Sequence, residues 1–255
     1  MSSKEDNLVE MRGVKLSFSG KVILDGVDFS VDAHDVLVIM GLSGSGKSTL
    51  LGLLTGLLKP DAGSVIFKGE DITKLSRSKL NEVRTQIGMV YQNAALVSSM
   101  SVRDNVALPL RELSKKNKTE IASIVDSKLE LVGLPDIADK LPSELSGGME
   151  KRVGLARALA MEPGLILFDE PSAGLDPINS KLIDELIIGL RDRQKVASIV
   201  VTHEMDSAFS VATKMAFLHE GKIIFEGTPE EFRHSDNPAV TSFLAPFTNN
   251  EHSKE

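Results

Sequence analysis

Apolar and polar residues alternate over residues 14–18 and 27–31, and the alternation gives way to an unbroken apolar run at residues 36–40. A period of two predicts strands with one exposed face, whereas an unbroken run predicts a strand that is buried on both faces. A further strand is predicted at residues 64–68, after a turn-like stretch at residues 59–63. We therefore expect antiparallel strands beside a buried strand in the first part of the chain.

Helical spacing begins near residue 102, after a short segment at residues 89–92 that ends the N-terminal portion. Apolar residues then recur at intervals that place them on one face of a helix. They are Ile121, Ile124, Val125, Leu129 and Val132. The spacing predicts a helical subdomain over about residues 102–160, which Pro163 closes.

A buried strand at residues 165–168, an amphipathic helix at 182–190 and a buried strand at 198–201 are predicted next. A hairpin follows, with arms at residues 215–218 and 223–225. Strands that alternate with helices predict an α/β fold. The expected architecture is a mixed, largely parallel core sheet with an antiparallel β subdomain and an inserted helical subdomain.

The composition limits the class of protein. Of the 255 residues, 42% are hydrophobic and 25% are charged, which is ordinary for a globular domain. We expect one domain over residues 1–247, followed by a polar tail at residues 248–255. The net charge of -7 provides no general attraction to nucleic acid, so nucleic acid is not an expected partner unless a local basic patch overrides the average. The absence of cysteine excludes disulfides and thiolate metal sites, and it suits a reducing compartment.

The longest apolar segment, residues 50–58, is interrupted by Gly52, Thr55 and Gly56. It is far shorter than the roughly 20 residues that a membrane-spanning helix needs. The first ten residues also lack the apolar core of a signal peptide. The sequence therefore predicts a cytoplasmic protein whose association with a membrane depends on a partner.

A glycine-rich loop joins the buried strand at residues 36–40 to an apolar helix. The residues from the loop into the helix are Gly41, Leu42, Ser43, Gly44, Ser45, Gly46, Lys47, Ser48 and Thr49. A strand, a glycine turn and a helix in this order are typical of a phosphate-binding loop, in which backbone N–H groups and the helix N-terminus hold phosphates. Lys47 is expected to pair with the β- and γ-phosphates of ATP, Ser48 to bind Mg²⁺ and Thr49 to support the phosphates. The alternative is an ordinary strand-to-helix turn, but the spacing and the context both favour the phosphate loop.

Two carboxylates, Asp169 and Glu170, follow the buried strand at residues 165–168. Asp169 is expected to reach Mg²⁺ through water, and Glu170 to orient or deprotonate the attacking water. An acidic pair at a strand end is, in isolation, more typical of a helix cap. Because a phosphate loop precedes this pair in the chain, the catalytic interpretation is favoured.

The pentapeptide at residues 145–149, Leu-Ser-Gly-Gly-Met, lies between the phosphate loop and the acidic pair and leads into a helix. With the three motifs in this order, the chain resembles the nucleotide-binding subunits of ABC transporters. The resemblance implies a P-loop NTPase fold of the ABC ATPase type. It also implies that Ser146, Gly147 and Gly148 contact the γ-phosphate of ATP held by the opposing chain of a head-to-tail homodimer. A Ser-capped helix start without a ligand is the alternative.

The resemblance assigns roles to four further residues. Gln92 matches the Q-loop, which senses Mg²⁺ and the attacking water and relays to the membrane partner, and His203 matches the switch histidine, which contacts the γ-phosphate and steadies Glu170. Asp176 matches the D-loop at the dimer interface, and Phe18 matches the aromatic residue that stacks on adenine. In isolation each of these residues has an ordinary interpretation. Gln92 would be a solvated loop residue and His203 a structural histidine. Asp176 would cap a turn, and Phe18 would pack within its strand.

Met149 stands where most importers of this family carry Gln, and the helix continues through residues 150–158. Together with residues 91–96, 101–106 and 170–177, this segment resembles the ATPases of Mla-type, MCE-associated lipid transporters. The resemblance implies an inner-membrane complex of two ATPase chains, two chains of an integral membrane permease and an MCE-domain lipid-binding protein. Such a complex moves phospholipids between membranes, and this chain is expected to lie on the cytoplasmic face, bound through the permease.

Three other functions are weighed against this one. The first is the ATPase of an importer for a polar small molecule, which the family resemblance permits. The second is an ABC protein of translation or DNA repair, but those proteins carry two ATPase domains or a long coiled-coil insertion, which this sequence lacks. The third is a catalytically weak regulatory subunit. Against it, the sequence contains Lys47, Asp169, Glu170 and His203, which are expected to act in hydrolysis.

Overall fold

The computed structural model describes residues 7–248, which fall into two compact units. The first unit combines the described residues up to Ser76 with those from Ile199 onward. The second unit is Arg77–Ser198. Each unit contains both strands and helices.

The strands are β1 (Asn7–Phe18), β2 (Lys21–Asp32), β3 (Val36–Met40), β4 (Ala62–Phe67), β5 (Glu70–Asp71), β6 (Ile87–Val90), β7 (Leu165–Asp169), β8 (Ala197–Thr202), β9 (Lys214–His219) and β10 (Lys222–Gly227). The helices are α1 (Lys47–Leu54), α2 (Arg77–Arg84), α3 (Val102–Leu113), α4 (Lys118–Leu131), α5 (Gly147–Leu159), α6 (Pro177–Gln194), α7 (Met205–Val211), α8 (Pro229–Arg233) and α9 (Pro238–Thr248). Short 3-10 helices lie at Ile72–Lys74 and Pro142–Glu144. Among residues 7–248, no helix combines the length and the apolar character that crossing a membrane requires.

In the first unit, β1 and β2 form the antiparallel pair that the alternating pattern predicts. Val9 lies opposite Val31 and Met11 opposite Phe29, and all four side chains are buried. β4 pairs with β1 and β5 with β4, so the sheet order is β2-β1-β4-β5. β1 and β2 are twelve residues long, more than predicted, because register shifts along their pairing interrupt the two-residue alternation on which the prediction depends.

Parallel pairing occurs in both units. In the first, β3 is buried at all five positions and pairs in parallel with β9, which forms the predicted antiparallel hairpin with β10. In the second, β6 and β7 are parallel neighbours, with Val90 opposite Phe168. Loops that follow the carboxyl ends of parallel strands are the usual location of ligand-binding residues in α/β folds. The pairing therefore indicates where the functional residues should be sought.

The predicted helical range contains α3, α4 and α5, and each of these helices begins at a side-chain cap. Ser101, Asn117 and Ser146 accept hydrogen bonds from backbone N–H groups of the first turns. The buried stripe of α4 has the predicted spacing and consists of Ile121, Val125 and Leu129. The second unit as a whole runs beyond this range, so the bounds of about 102–160 stay a prediction.

The hydrophobic pattern does not predict α7, α8 and α9. The first two have at most seven residues, and α9 contains Pro246. α9 is attached to the first unit through aromatic packing, since the ring centroids of Phe243 and Phe217 are 4.9 Å apart. It ends at Thr248, the first residue of the predicted polar tail, and residues 249–255 lie outside the described part of the chain.

Candidate active site

β3 leads into a loop whose shape depends on glycine. Gly44 and Gly46 have φ angles of 79° and 105°, a region that glycine adopts far more readily than other residues. A Cβ atom at Gly46 would also lie 3.1 Å from Cδ2 of Leu24, and one at Gly41 would lie 2.4 Å from the carbonyl oxygen of Leu218. The conformation of this loop therefore requires glycine at positions 41 and 46.

Lys47 is the first residue of α1 and is only 8% exposed. Its Nζ donates to the carbonyl oxygens of Gly41 at 2.8 Å and Leu42 at 3.1 Å, so the loop curls around the ammonium group. The first turn of α1 carries no acidic residue, and the buried hydroxyl of Ser45 has no hydrogen-bond partner within the described residues. A cation, a positive helix end and an unsatisfied hydroxyl together fit an anion that has several oxygens.

In the second unit, β7 carries two acidic residues to its carboxyl end. Its first four positions are buried, and Asp169 and Glu170 are half-buried. Glu170 has a φ of 47°, a left-handed conformation that costs a non-glycine residue about 1–2 kcal/mol. Its carbonyl oxygen accepts a hydrogen bond of 3.2 Å from the backbone N–H of Ala173, which closes a turn directly after the strand. Backbone strain is concentrated at functional sites, and here it falls on the residue predicted to orient the attacking water.

Ser146 is exposed and caps α5, because its Oγ accepts a hydrogen bond of 3.3 Å from the backbone N–H of Met149. Gly147 is exposed, whereas Gly148 is buried. A Cβ atom at Gly148 would lie 2.5 Å from Oδ1 of the Asn179 side chain in α6, so a larger residue at this position would displace that side chain. The Ser cap is therefore present, and it leaves the exposed helix start accessible to a ligand.

Asp176 caps the start of α6. Its carboxylate accepts hydrogen bonds from the backbone N–H groups of Ile178 and Asn179, both at 3.0 Å, and from Nδ2 of Asn179 at 2.5 Å. These bonds hold the pKa of Asp176 below its ordinary value, and the bond from the Asn179 side chain has the largest effect. The turn-capping interpretation thus accounts for the local contacts. The adjacent Ile178 is 76% exposed, which leaves an apolar side chain on the surface beside this cap.

Gln92 is exposed in the loop that follows β6. The chain then turns through Ala94 and Ala95, whose φ angles are 55° and 49°. Arg157 of α5 donates from Nη1 to the carbonyl oxygen of Ala95 and from Nη2 to that of Ala94, both at 2.7 Å. Burial of this guanidinium lowers its pKa, and a nearby tyrosine, Tyr91, opposes the shift. The planar fork of Arg157 therefore holds the segment next to Gln92 in a left-handed turn.

Phe18 and His203 both belong to the first unit. Phe18 is the last residue of β1 and is 46% exposed, so it is not the core residue that its strand position alone favours. An exposed ring of this kind is available to stack on a base. His203 is exposed directly after β8, at the carboxyl end of a fully buried strand.

The predicted site residues are divided between the two units. The first unit contains Phe18, Gly41, Ser43, Gly44, Ser45, Gly46, Lys47, Ser48, Thr49 and His203. The second unit contains Gln92, Ser146, Gly147, Gly148, Asp169, Glu170 and Asp176. Within the second unit, the start of α5 lies against the loop that follows β7 and against α6.

Sequence reasoning missed three residues that arrange the second unit: Lys151, Arg157 and Asn179. Lys151 and Arg157 bind backbone carbonyls of the loops after β7 and β6, and Asn179 bonds to Asp176. The signal for the first two is a long basic side chain within a helix of small and apolar residues. That signal does not specify which carbonyls they reach, because those carbonyls come from distant parts of the chain.

The donors predicted for a metal are the oxygens of Ser48, Gln92 and Asp169. Within residues 7–248 there is no group of three or more His, Cys, Asp or Glu side chains that could hold a metal ion. Mg²⁺ usually keeps several waters and takes one or two protein ligands together with substrate phosphates. A hydroxyl, an amide and a single carboxylate fit this coordination chemistry better than that of a metal enclosed by protein ligands alone.

Comparison with known proteins places the chain in a family. The model of the ABC transporter family matches residues 24–173. The chain is 42% identical over 236 residues to a "Probable ribonucleotide transport ATP-binding protein mkl" of Mycobacterium leprae, covering 92% of this chain and 68% of that protein. It is also 42% identical over 238 residues to the "Intermembrane phospholipid transport system ATP-binding protein MlaF" of Haemophilus influenzae, covering 93% of this chain and 90% of that protein.

The fold is also that of a solved ATP-binding cassette. The dimeric cassette MJ0796, in a post-hydrolysis state bound to ADP and Pi, superposes with a TM-score of 0.79 at 29% identity, over 86% of this chain and 98% of that one. The chain therefore belongs to the ABC transporter family and is an ATPase with the ABC ATPase fold. The predicted family and fold class are confirmed.

Proposed function

We propose that this chain is the ATP-hydrolysing subunit of an ABC transporter that moves phospholipids between membranes through a partner permease. The observation that carries the proposal is the similarity to the Haemophilus phospholipid-transport protein, which extends over 90% of that protein. The variant signature with Met149 supports the same assignment, since it is part of the resemblance to Mla-type ATPases.

The residues of the site have separate tasks in hydrolysis. Lys47 binds the β- and γ-phosphates, with the backbone N–H groups of the glycine loop around it, and Thr49 supports them from the helix start. Glu170 orients the attacking water and takes its proton, and His203 contacts the γ-phosphate and steadies Glu170. Mg²⁺, held by Ser48, by Gln92 and through water by Asp169, would neutralise the charge that develops on the phosphates.

The site is completed by a second copy of the chain. Ser146, Gly147 and Gly148 would contact the γ-phosphate of ATP held by the opposing chain, and Asp176 would lie at the interface. The exposure of Ser146 and the dimeric state of the related cassette with ADP and Pi support this arrangement. Phe18 would stack on the adenine, a contact worth about 1–3 kcal/mol for a base on an aromatic ring.

Mixed dimers test this arrangement. A heterodimer of Lys47→Ala and Ser146→Arg chains places both lesions in one composite site and leaves the other intact. We expect it to hydrolyse ATP at up to about half the wild-type rate, whereas each homodimer is nearly inactive because each removes an essential phosphate contact from both sites. Inactive heterodimers of verified composition would contradict independent head-to-tail sites.

The expected partners are an integral membrane permease and an MCE-domain lipid-binding protein, which would place the chain on the cytoplasmic face of the inner membrane. ATP would act on the permease only through the difference between its affinities for the open and the closed dimer. Gln92 would transmit that difference, because it lies in a loop that Arg157 holds against α5.

A second candidate is the transport of a polar small molecule. The Mycobacterium leprae relative, of which this chain spans 68%, carries a name that assigns it to ribonucleotide transport, and its identity to this chain is equally high. The two candidates share the ATPase chemistry and differ only in the partner set and the cargo.

Native extraction separates the two candidates. The complex would be extracted in detergent-free polymer discs, and its proteins and bound lipids would be identified by mass spectrometry. Phospholipid transport requires a permease and an MCE-domain protein, with glycerophospholipid enriched over the surrounding membrane. A solute-binding protein and a small-molecule permease without an MCE-domain protein would refute the lipid assignment and leave the ATPase assignment intact.

A further inference from the structure

Lys151 lies in the second turn of α5, five residues after the exposed signature residue Ser146. Although lysine is rarely buried, Lys151 is only 7% exposed. Its Nζ donates to the carbonyl oxygen of Ala173 at 2.6 Å and to that of Glu170 at 3.4 Å. Both carbonyls belong to the loop that follows β7. The side chain therefore connects the signature helix to the loop that carries the predicted water-orienting carboxylate.

This loop requires external support at that point. Glu170 is a non-glycine residue with a left-handed φ of 47°, and such a conformation persists only where the surrounding contacts determine it. The carbonyl oxygen of Glu170 already accepts the N–H of Ala173, which closes the turn. The ammonium group of Lys151 adds bonds to both ends of this turn. Hydrogen bonds from a charged donor are stronger than neutral ones, so Lys151 is well suited to keep the turn in one geometry.

The position of Lys151 in α5 also has a consequence for coupling. The exposed Ser146 at the start of the helix is proposed to contact ATP held by the opposing chain, whereas Glu170 acts on ATP held by its own chain. Ser146 caps the thirteen-residue helix α5, and Lys151 in its second turn contacts the carbonyl oxygens of Glu170 and Ala173. Lys151 is therefore placed to connect the start of α5 with the backbone of Glu170.

We propose that Lys151 is a positioning residue for ATP hydrolysis, which holds the backbone of Glu170 and Ala173 so that the Glu170 carboxylate points at the attacking water. The inference rests on the proposed role of Glu170 in hydrolysis. Lys151 does not touch the substrate, and it acts only by fixing the loop. Its removal should affect the catalytic step and leave nucleotide binding nearly unchanged.

The test compares Lys151→Met, Lys151→Arg and a matched control in the full-length chain and in its co-purified complex. Lys151→Met keeps an unbranched side chain and removes the ammonium group, and we expect kcat to fall about 10–100-fold with KM for ATP within about threefold, since small misplacements of catalytic groups have effects of this size. Lys151→Arg retains donors for both carbonyls and should recover most of the rate. Lys128→Met is the control, because the Lys128 side chain is likewise mostly shielded from solvent, at 12% exposure, and its Nζ lies 3.6 Å from Oε1 of Glu162.

A double mutant separates positioning from a general structural role. If Lys151 acts through Glu170, adding Lys151→Met to Glu170→Gln should lower the residual turnover by less than about twofold, because effects on one shared element are not additive. A multiplicative loss would overturn the inference, and so would a wild-type kcat in Lys151→Met. If Lys151→Met does not fold, as judged by thermal melting, Lys151→Gln replaces it in both comparisons.

The outcomes also distinguish this inference from the proposed function. Near-wild-type turnover in Glu170→Gln removes the catalytic assignment of Glu170, and with it the basis for a positioning role. Slow turnover in Glu170→Gln together with normal turnover in Lys151→Met refutes the role of Lys151 alone. Slow turnover in both, with no further loss in the double mutant and with Lys128→Met unaffected, supports both assignments.

Discussion

Two loops of this protein follow buried parallel strands and hold unusual backbone conformations, but by different means. The loop after β3 places glycine where φ is positive, at Gly44 and Gly46, and its own Lys47 binds its carbonyls. The loop after β7 places a glutamate at positive φ, at Glu170, and a lysine from another element, Lys151, binds its carbonyls. The first loop is shaped by its own residues, whereas the second depends on a neighbouring helix.

The difference fits what each loop is proposed to present to the nucleotide. The loop after β3 is proposed to offer backbone N–H groups to phosphates. Such a loop needs no side chain at its left-handed positions and can use glycine. In the proposed mechanism, the loop after β7 presents the carboxylate of Glu170 at the strained position, so glycine could not replace Glu170. The required strain must then be stabilised from outside, and the same solution recurs where Arg157 binds the carbonyls of Ala94 and Ala95.

The largest expected effects separate the two loops by function. Glu170→Gln should lower the rate of hydrolysis by at least about 10²-fold, because a positioned base contributes 10²–10⁴-fold, and ATP should still bind. Lys47→Ala should instead weaken nucleotide binding, since it removes the cation that is proposed to bind the phosphates. Nucleotide retention and phosphate release, measured for both variants, test the separation. Comparable loss of binding in both variants would mean that the two loops do not divide their tasks in this way.

The next effect tests whether the loop after β3 depends on glycine. Gly46→Ala should lower the free energy of unfolding by about 1–3 kcal/mol, because the φ of 105° is unfavourable for alanine and the new Cβ lies 3.1 Å from Leu24. Gly189→Ala is the matched control: Gly189 lies inside α6 with open space around its Cβ position, and the change should stabilise the protein by about 0.5–1 kcal/mol. Urea unfolding of the wild type and the two variants measures these differences. Equal effects of the two substitutions would contradict the requirement for glycine in the loop after β3.

A smaller effect tests the external support of the loop after β6. Arg157→Lys keeps the positive charge but loses the planar fork, so one of the two 2.7 Å hydrogen bonds to the carbonyls of Ala94 and Ala95 cannot form. We expect the free energy of unfolding to fall by about 1–2 kcal/mol. The control is Arg111→Lys, which alters an exposed ion pair with Asp104 and should change stability by less than about 0.5 kcal/mol. A loss no larger in Arg157→Lys than in Arg111→Lys would show that the fork does not hold the turn.

The contrast between a loop shaped by its own residues and a loop supported by a distant residue also explains which parts of the structure the sequence predicts. Three features depend on residues that are close in the chain: the glycine loop, the buried strand β3 and the capped start of α5. Each can be predicted from the local sequence pattern. The sequence shows Lys151 and Arg157 but does not predict which carbonyl groups they bind, because these carbonyls lie 19 to 63 positions away in the chain. α7 and α8 were not predicted because they are too short to display a helical period, and α9 because Pro246 interrupts its pattern.

The smallest expected effect concerns Asp176, at the end of the segment that begins at Glu170. Hydrogen bonds from Asn179 and Ile178 lower the pKa of Asp176 below its ordinary value, so the ionised form is favoured in the folded state. A carboxylate whose folded pKa is depressed contributes stability that is fully present above its unfolded pKa and is lost as the pH falls through the folded pKa. In the Asp176→Asn variant, the asparagine side chain can still cap α6, but it has no carboxylate that could ionise. The stability difference between wild type and this variant should therefore be constant from pH 7 to about pH 5 and should shrink as the pH falls from the unfolded pKa of Asp176 through its lower folded pKa. Because Asp176 is exposed, the difference should also decrease in high salt. A difference that does not change with pH would mean that the cap depends on the shape of the side chain and not on its charge, which would sharpen the contrast with the charged donors that support Glu170.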